Sequence, residues 1–395
     1  MPRATVDEHA ALIAQLLRLD PVNESLTLDD ALGRVTFHAI ESPVDLPLFR
    51  NSQMDGFAVR AADVTEPPTA LPIVGEVAAR PSDPPPLAAG TAVRIMTGAV
   101  VPEGADAVIP VEDTRVDGNT VTVLRSRAHG DYVRERGSDI RSGDELLPAG
   151  VLLGSRHLAA LAAAGLTRVD VRARVRVAII TTGSELVEPG AVPTLGQIFD
   201  SNGTALDAAV RAVGAVVGFR QHVADDTAEM LTALATAATR SDLIVTSGGI
   251  SMGDHEVVRE SLEPLGARVT TIAMQPGGPQ ATAVFAGVPV VCFPGNPVST
   301  QVSFEVFLAP LLRAAAGLPP GQRESRKLSH AVTSVEGKRQ FLRGRNVAGS
   351  EHVVEVVSGA SSHLVAGLAA SDVLIDIPEE IGFLEAGDAV ETWVL

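Results

Sequence analysis

Apolar positions repeat at different periods along this chain, and the change of period divides it. Val6, Ala10, Ile13 and Leu17 fall at helical spacing behind a Thr5/Glu8 capping-box pattern, so residues 5–18 predict a helix. Residues 26–34 suggest a short second helix. From Pro43 to about Leu147 the repeat shortens to two: β-like runs at Ala92–Met96, Ala107–Val111 and Thr120–Leu124 alternate with Pro, Gly and Asp. That texture predicts a β-rich region with long loops, one of them the exposed Pro81–Pro86 stretch. Ser155–Ala164 returns to helical spacing and stops at Gly165.

Strands and helices then alternate. Val175–Thr181, Ala215–His222, Leu243–Thr246, Val269–Met274 and Val288–Phe293 read as strands, and 203–213, 226–239, 255–263 and 298–315 as helices, with Asp226 as an N-cap. This order predicts a mostly parallel, doubly wound sheet covered on both faces. Beyond Leu318-Pro319-Pro320-Gly321 the period returns to two, as in a small β-barrel or sandwich. The fold class expected is therefore multidomain α/β plus β.

The length of 395 residues exceeds one ordinary core, and 46% hydrophobic with 20% charged residues is globular. A net charge of −17 repels nucleic acid and anionic lipid surfaces, so neither is expected as a partner. No apolar run approaches a membrane span and the N-terminus has no signal-peptide core. Cys292, the one cysteine, sits in an apolar run and reads as a small buried hydrophobe; a chain without a disulfide suits the cytoplasm.

Ligands of open α/β sheets bind beyond the carboxyl ends of the strands. Three strand ends here carry loops rich in Gly, Ser and Thr: Thr181-Thr182-Gly183-Ser184-Glu185, Thr246-Ser247-Gly248-Gly249-Ile250-Ser251 and Phe293-Pro294-Gly295-Asn296-Pro297-Val298-Ser299. Gly lets backbone N–H groups approach an anion, hydroxyls add donors, and the helix that follows favours negative charge. Singly each is as readily a turn; together they suggest a phosphate-bearing ligand. Glu185, Asp200, Asp225 and Glu256 lie near the same strand ends, where Mg²⁺ would bridge carboxylates to phosphate oxygens. The β-rich region adds Asn51–Val59, with Met54-Asp55-Gly56 at its centre, the run Arg94–Gly98, and Arg134–Ile140, whose two arginines suit an anion. No histidine pair has metal-ligand spacing, and no Ser-His-Asp or Cys-His arrangement stands out.

NSQMDGFAV, RIMTGAVVPEGADAVIPVEDT, VRERGSDI, TTGSEL, DSNG, TSGGISMGD and FPGNPVS occur in one order across nearly the whole chain, which closes on FLRG and LEAGDAVET. In this the chain resembles the molybdopterin molybdotransferase (MoeA) family, which includes the C-terminal domain of gephyrin. The resemblance implies insertion of molybdate, as substrate, into adenylated molybdopterin, with AMP released in a Mg²⁺-dependent step by an elongated homodimer. The active cleft would lie between the α/β domain of one subunit and the β-rich domain of the other.

The resemblance also implies four domains: 1–42 with 143–173 as a linking domain, 43–142 β-rich, 174–318 an α/β domain of the molybdopterin-binding type, and 319–395 a small β-barrel. Matching motifs assign catalytic roles to Asp55, Thr97, Asp139, Glu185, Asp225 and Glu256, with Glu185, Asp225 and Glu256 toward the metal. Substrate-binding roles fall on Arg134, Thr182, Gly183, Ser184, Asp200, Ser201, Asn202, Ser247, Gly248, Gly249, Ser251, Gln275, Gly278, Pro294, Gly295, Asn296, Pro297 and Ser299.

Two positions depart from the family pattern. Glu256 stands where Asp is usual, and Gln275-Pro276-Gly277-Gly278-Pro279 stands where Lys-Pro-Gly-Lys-Pro is common. The uncharged Met274–Gln280 stretch reads as a ligand-facing turn, with its missing charge supplied by arginines of the facing domain or by Mg²⁺. These departures keep a second reading open, a non-catalytic molybdopterin-binding scaffold or divergent paralogue. A molybdopterin adenylyltransferase is a third, against which the extra domains and the MDG motif argue.

Overall fold

A computed structural model describes residues 3–250, 256–350 and 352–395. The chain forms two compact units, Met1–Glu24 with Arg172–Leu395, and Ser25–Val171.

In the first unit a six-stranded sheet runs in the order Val216–Val223, Arg176–Thr182, Leu243–Ser247, Val288–Phe293, Pro279–Phe285, Arg268–Thr271. The first four strands are parallel, and the last two extend the sheet as an antiparallel edge. Alternate residues of the parallel strands feed opposite cores. Val177, Ile179, Leu243, Val245, Val291 and Phe293 meet Leu206, Val210 and Phe304 on one face. Ala178, Ile180, Ile244, Val290 and Cys292 meet Met230, Leu234, Val258 and Leu262 on the other. Both faces are thus covered, as near-continuous apolar strands require. Cys292 is fully buried and its thiol is pushed up to about 12 by desolvation, in keeping with a packing role.

The N-terminal helix is Val6–Leu17, with Thr5 and Glu8 completing the capping box. Val6, Ile13 and Leu17 are buried in the first of these cores, each contributing roughly 1.5–3 kcal/mol. Residues 1–24, grouped above with 143–173, therefore belong to the same compact unit as the α/β sheet. The chain ends in a barrel closed by Arg323–Leu328, Arg339–Asn346, Val353–Val356, Val373–Ile377 and Ala389–Val394, filled by Leu328, Leu342, Val354, Ile375 and Val390.

The second unit is built on a six-stranded, mainly antiparallel sheet that includes Gly56–Val59, Ala92–Ile95 and Ala107–Pro110. It too has a core on each face.

Three expected elements differ. Residues 26–34 contain only a 3-10 turn, Leu28–Asp30, behind a strand at Asn23–Thr27, because Gly33 takes a left-handed conformation and ends any helix. Val269–Met274 is not one strand: Arg268–Thr271 stays in the α/β sheet, whereas Met274–Gln275 pairs with Arg339–Gln340 of the barrel. The expected helix 298–315 is Pro297–Ser303 and Ala309–Ala316, separated by a π-helical turn at Phe304–Leu308; Pro310 has no N–H to continue an α-helical ladder there.

Candidate active site

Strand register brings the loops together. Thr181 pairs with Ser247 and Ser247 with Phe293, so three parallel strands end level. The chain leaves the Arg176 strand toward one side of the sheet and returns to build the other side from Leu243, which puts a topological switch point between those two strands. At this end lies a cavity of about 440 Å³. It is lined by Thr182, Gly183 and Glu185 of the first loop, Asp200, Ser201 and Asn202 at the following helix start, Asp225, then Ser247, Gly248, Gly249 and Glu256, and Pro294, Gly295, Asn296 and Pro297. Ser184 borders the same loop, while Ser251 lies outside the described residues.

Backbone geometry favours glycine at two of these positions, by close approach to a carbonyl at Gly248 and by a positive φ at Gly183. A Cβ on Gly248, whose φ is +100°, would stand 2.7 Å from the Thr182 carbonyl oxygen. A Cβ on Gly183, φ +143°, would stand 2.5 Å from a Glu185 oxygen. The neighbouring Thr182 hydroxyl is buried and has no hydrogen-bond partner among the described residues, which leaves it available to a ligand oxygen.

Polar side chains fix the loops. Asn202 Nδ2 donates to Ser247 Oγ at 2.9 Å and to the Gly295 carbonyl at 2.7 Å, tying three segments with one amide. Ser247 Oγ lies 3.0 Å from Thr300 Oγ1, which donates to the Pro294 carbonyl. Asp200 is buried and accepts from Thr181 Oγ1 (2.8 Å) and the Gly203 N–H (2.9 Å), so its carboxylate caps the Ser201–Ala212 helix. Asp226 caps the next helix through the Glu229 N–H.

The acidic residues reach the cavity without forming a cage. Asp225 accepts from the Ser184 N–H at 2.9 Å, and its own N–H donates to Ser184 Oγ at 3.2 Å. Glu185, Asp225 and Glu256 line the cavity from three segments, but no three His, Cys, Asp or Glu side chains among the described residues gather closely enough to hold a metal ion by themselves. The three come from loops tethered to different strand ends, so a metal ion here would be shared between them and the ligand's own oxygens. Their hard oxygen donors suit Mg²⁺, which is commonly held by one or two carboxylates plus substrate phosphates. The motif loops did not signal Leu186, Ile198, Phe199, Ile250 or Pro279, which give the cavity an apolar side.

Gln275 and Gly278 face a second cavity of about 410 Å³ in the same unit, which meets the first at Pro279, Pro294 and Asn296. The Met274–Gln280 stretch is only partly ligand-facing. Met274 and Gln280 are buried, and Gln280 Nε2 donates to Ser303 Oγ at 2.8 Å and to the Gly277 carbonyl at 3.1 Å. Gln275 Oε1 accepts from Gln340. Ser299 lines this second cavity, as do Arg3, Lys338, Ser361 and Ser362, four residues that no local motif marked.

In the other unit, Asp55 and Thr97 meet. Asp55 Oδ1 accepts from the Thr97 N–H at 2.7 Å and from its hydroxyl at 2.8 Å, and the backbone bond foremost holds the carboxyl below its usual range. A Cβ on Gly56 would run into the Ile109 carbonyl, which is why glycine follows Asp55. Arg134 approaches Asn51 Oδ1 at 3.4 Å, whereas Arg136 is committed to Asp45 at 2.6 Å, so only one of the two arginines stays open to an anion. Asp139 is exposed, its N–H donating to the Leu46 carbonyl.

Comparison with known proteins agrees along the whole length. Residues 4–165 match the MoeA N-terminal region (domain I and II), 178–314 the probable molybdopterin binding domain, and 325–395 the MoeA C-terminal region (domain IV). The chain is 40% identical to molybdopterin molybdenumtransferase 2 of Mycobacterium tuberculosis, covering 99% of both. It is 34% identical to the molybdopterin molybdenumtransferase of a Nostoc species, over 98% of this chain and 93% of that one. A solved molybdopterin biosynthesis MoeA protein of Pyrococcus horikoshii superposes with a TM-score of 0.85 at 32% identity, covering 100% of this chain and 99% of the other. With every segment matched in order and at these identities, the chain belongs to the MoeA family of molybdopterin molybdenumtransferases.

Proposed function

We propose that this protein inserts molybdenum from molybdate into adenylated molybdopterin and releases AMP in a Mg²⁺-dependent step, as a homodimer in the cytoplasm. The observation that carries the reading is the convergence of three level, glycine-bearing loops on one cavity with carboxylates at its rim, in a chain of this family. Backbone N–H groups and hydroxyls of the Thr182–Ser184, Ser247–Gly249 and Gly295–Ser299 segments are suited to phosphate oxygens. The apolar side at Leu186, Ile198 and Phe199 suits a flat ring system. Glu185, Asp225 and Glu256 are the residues that would hold Mg²⁺. When bound, it would neutralise charge developing on the phosphate as AMP leaves.

Asp55, kept ionised by Thr97, is proposed to act in the same turnover, with Arg134 and Asp139 in supporting contacts. Its carboxylate is exposed, so Asp55→Ala is expected to abolish molybdenum insertion and leave thermal unfolding unchanged. Full turnover by that variant would remove Asp55 from the mechanism.

The decisive measurement is AMP release on mixing the protein with adenylated molybdopterin, molybdate and Mg²⁺. Release that needs all three supports the proposal. Glu256 and the uncharged Gln275 and Gly278, where the family pattern has Asp and Lys, favour one competing reading, a molybdopterin-binding scaffold. Tight binding of the adenylated pterin with no AMP release, where a relative turns it over, would establish that reading instead.

A further inference from the structure

Three non-glycine residues among those described have a positive φ: Arg18 (33°), Tyr132 (57°) and Ala286 (49°). Two have ordinary reasons. Arg18 ends the Val6–Leu17 helix as its left-handed C-cap. Ala286 and Gly287 turn the hairpin between Pro279–Phe285 and Val288–Phe293, where both central residues need φ above zero. Tyr132 is neither. The Val133 N–H donates to the Gly130 carbonyl, which closes a β-turn with Tyr132 in third place. A positive φ there calls for Gly or Asn, and a bulky side chain stores strain.

The surroundings hold Tyr132 in this conformation. The Arg127 guanidinium lies 5.1 Å from the ring centroid and is itself bound to Asp113. The ring packs against the core that contains Val108 and Val133. The Asp131 N–H donates to the Ala128 carbonyl at 3.1 Å, and the Asp131 carbonyl accepts from the Val108 N–H at 3.0 Å. What this turn delivers is one carbonyl. Tyr132 accepts from the Gln53 N–H at 2.9 Å, and the next two residues pair antiparallel, Val133 with Ser52 and Arg134 with Asn51. Gln53 stands two residues before Asp55, whose carboxylate is held by Thr97. The Tyr132–Gln53 bond therefore sets a short ladder with Arg134 at one end and Asp55 just beyond the other.

We propose that Tyr132 is a positioning residue for turnover: its left-handed backbone aims this carbonyl at Gln53 and so fixes Asp55 and Arg134, from separate stretches of chain, relative to each other. The inference rests on the roles proposed above for those two residues. The contacts of the ring offset the strain of the turn.

The test is a substitution series that separates backbone conformation from side-chain bulk. Tyr132→Asn accepts the left-handed conformation, Tyr132→Ala less readily, and the β-branched Tyr132→Val least. At a temperature where circular dichroism shows each variant folded, kcat should fall in that order, by less than about threefold for Tyr132→Asn and by about tenfold for Tyr132→Val. The Asp55 carboxyl, followed by carbon NMR of labelled aspartate and assigned through Asp55→Asn, should stay below its usual range in Tyr132→Asn. It should rise toward that range in Tyr132→Val, as its bonds from Thr97 loosen. A side chain that only fills the core would lower thermal stability in every variant and leave both kcat and the Asp55 titration unmoved. If Tyr132→Val does not fold, Tyr132→Asn against Tyr132→Ala decides. An unmoved kcat and Asp55 titration across the folded variants, or a loss in Tyr132→Asn as large as in Tyr132→Ala, overturns the inference. Absence of AMP release by the wild type overturns the proposed reaction instead, and the Asp55 titration then judges Tyr132 separately.

Discussion

The two adjoining cavities of the α/β unit share Pro279, Pro294 and Asn296 and are built in opposite ways. Among the described residues the first is lined by Glu185, Asp200, Asp225 and Glu256 and by no Lys or Arg, and the second by Arg3 and Lys338 and no acid. An anion entering the first needs backbone donors and a bridging cation, whereas an anion entering the second meets fixed charge. The first is made of short runs at the strand ends, the second of the stretch around Gln275–Pro279 joined by Arg3, Lys338, Ser361 and Ser362 from distant parts of the sequence. Unlike charge environments thus stand side by side, with only Pro279, Pro294 and Asn296 common to both.

The largest effect should come from breaking the close approach that shapes the first cavity. Gly248→Ala puts a Cβ against the Thr182 carbonyl at a left-handed φ and displaces both loops. Turnover is expected to fall by about a hundredfold, the scale on which a misplacement of one ångström acts. Gly266→Ala is the control. Its φ is +91° and nothing stands within 4 Å of a Cβ there, so it bears the same backbone strain without the clash. It should lose stability, read by thermal unfolding, and keep its turnover; equal losses in both variants would show that strain alone is responsible.

A smaller loss is expected from Asn202→Ala, which frees the Ser247 and Gly295 segments from their common tether. Leaving their acceptors unpaired costs about 1–3 kcal/mol of stability, measurable by urea unfolding. KM for the nucleotide-bearing substrate should rise more than KM for molybdate, since Asn202 lines only the first cavity. A parallel rise in both would mean that the tether serves the two cavities together.

The difference between the cavities also sets what was legible beforehand. Alternation of strands and helices announced the sheet, and glycine-rich loops at strand ends announced the first cavity, because both signals are local. The pairing of Met274–Gln275 with the barrel was not legible, since it depends on a partner more than sixty residues away. Arg3, Lys338, Ser361 and Ser362 carry no local signal at all; only the stitching of Ala4 to Thr271–Ala273 and the closure of the barrel collect them. Asp200 illustrates the reverse. It lines the first cavity, and in addition one of its oxygens caps the helix start that follows while the other accepts from Thr181 of the preceding strand, a structural role that no motif announced.

The smallest effect at neutral pH concerns what stands behind the second cavity. His9 of the Val6–Leu17 helix is buried with its ring edge-on to Phe307 at 4.9 Å and in contact with Gln280, the residue that closes the loop, though neither ring nitrogen has a hydrogen-bond partner among the described residues. Desolvation dominates that contact and brings its pKa from 6.5 down to about 4. Between those values the unfolded chain binds a proton that the folded chain excludes, so stability falls as pH drops from about 6.5 toward 4 and is complete above that window. A shift of this size corresponds to roughly 3 kcal/mol lost at the acid end. His9→Gln keeps an amide partner for Gln280 and removes the titration. It should differ from the wild type by less than about 1.5 kcal/mol at pH 7 and lose less stability between pH 7 and 4, in urea unfolding compared variant against wild type. Identical pH profiles would mean that His9 takes up its proton equally in the folded and unfolded chain, so that burial does not shift it.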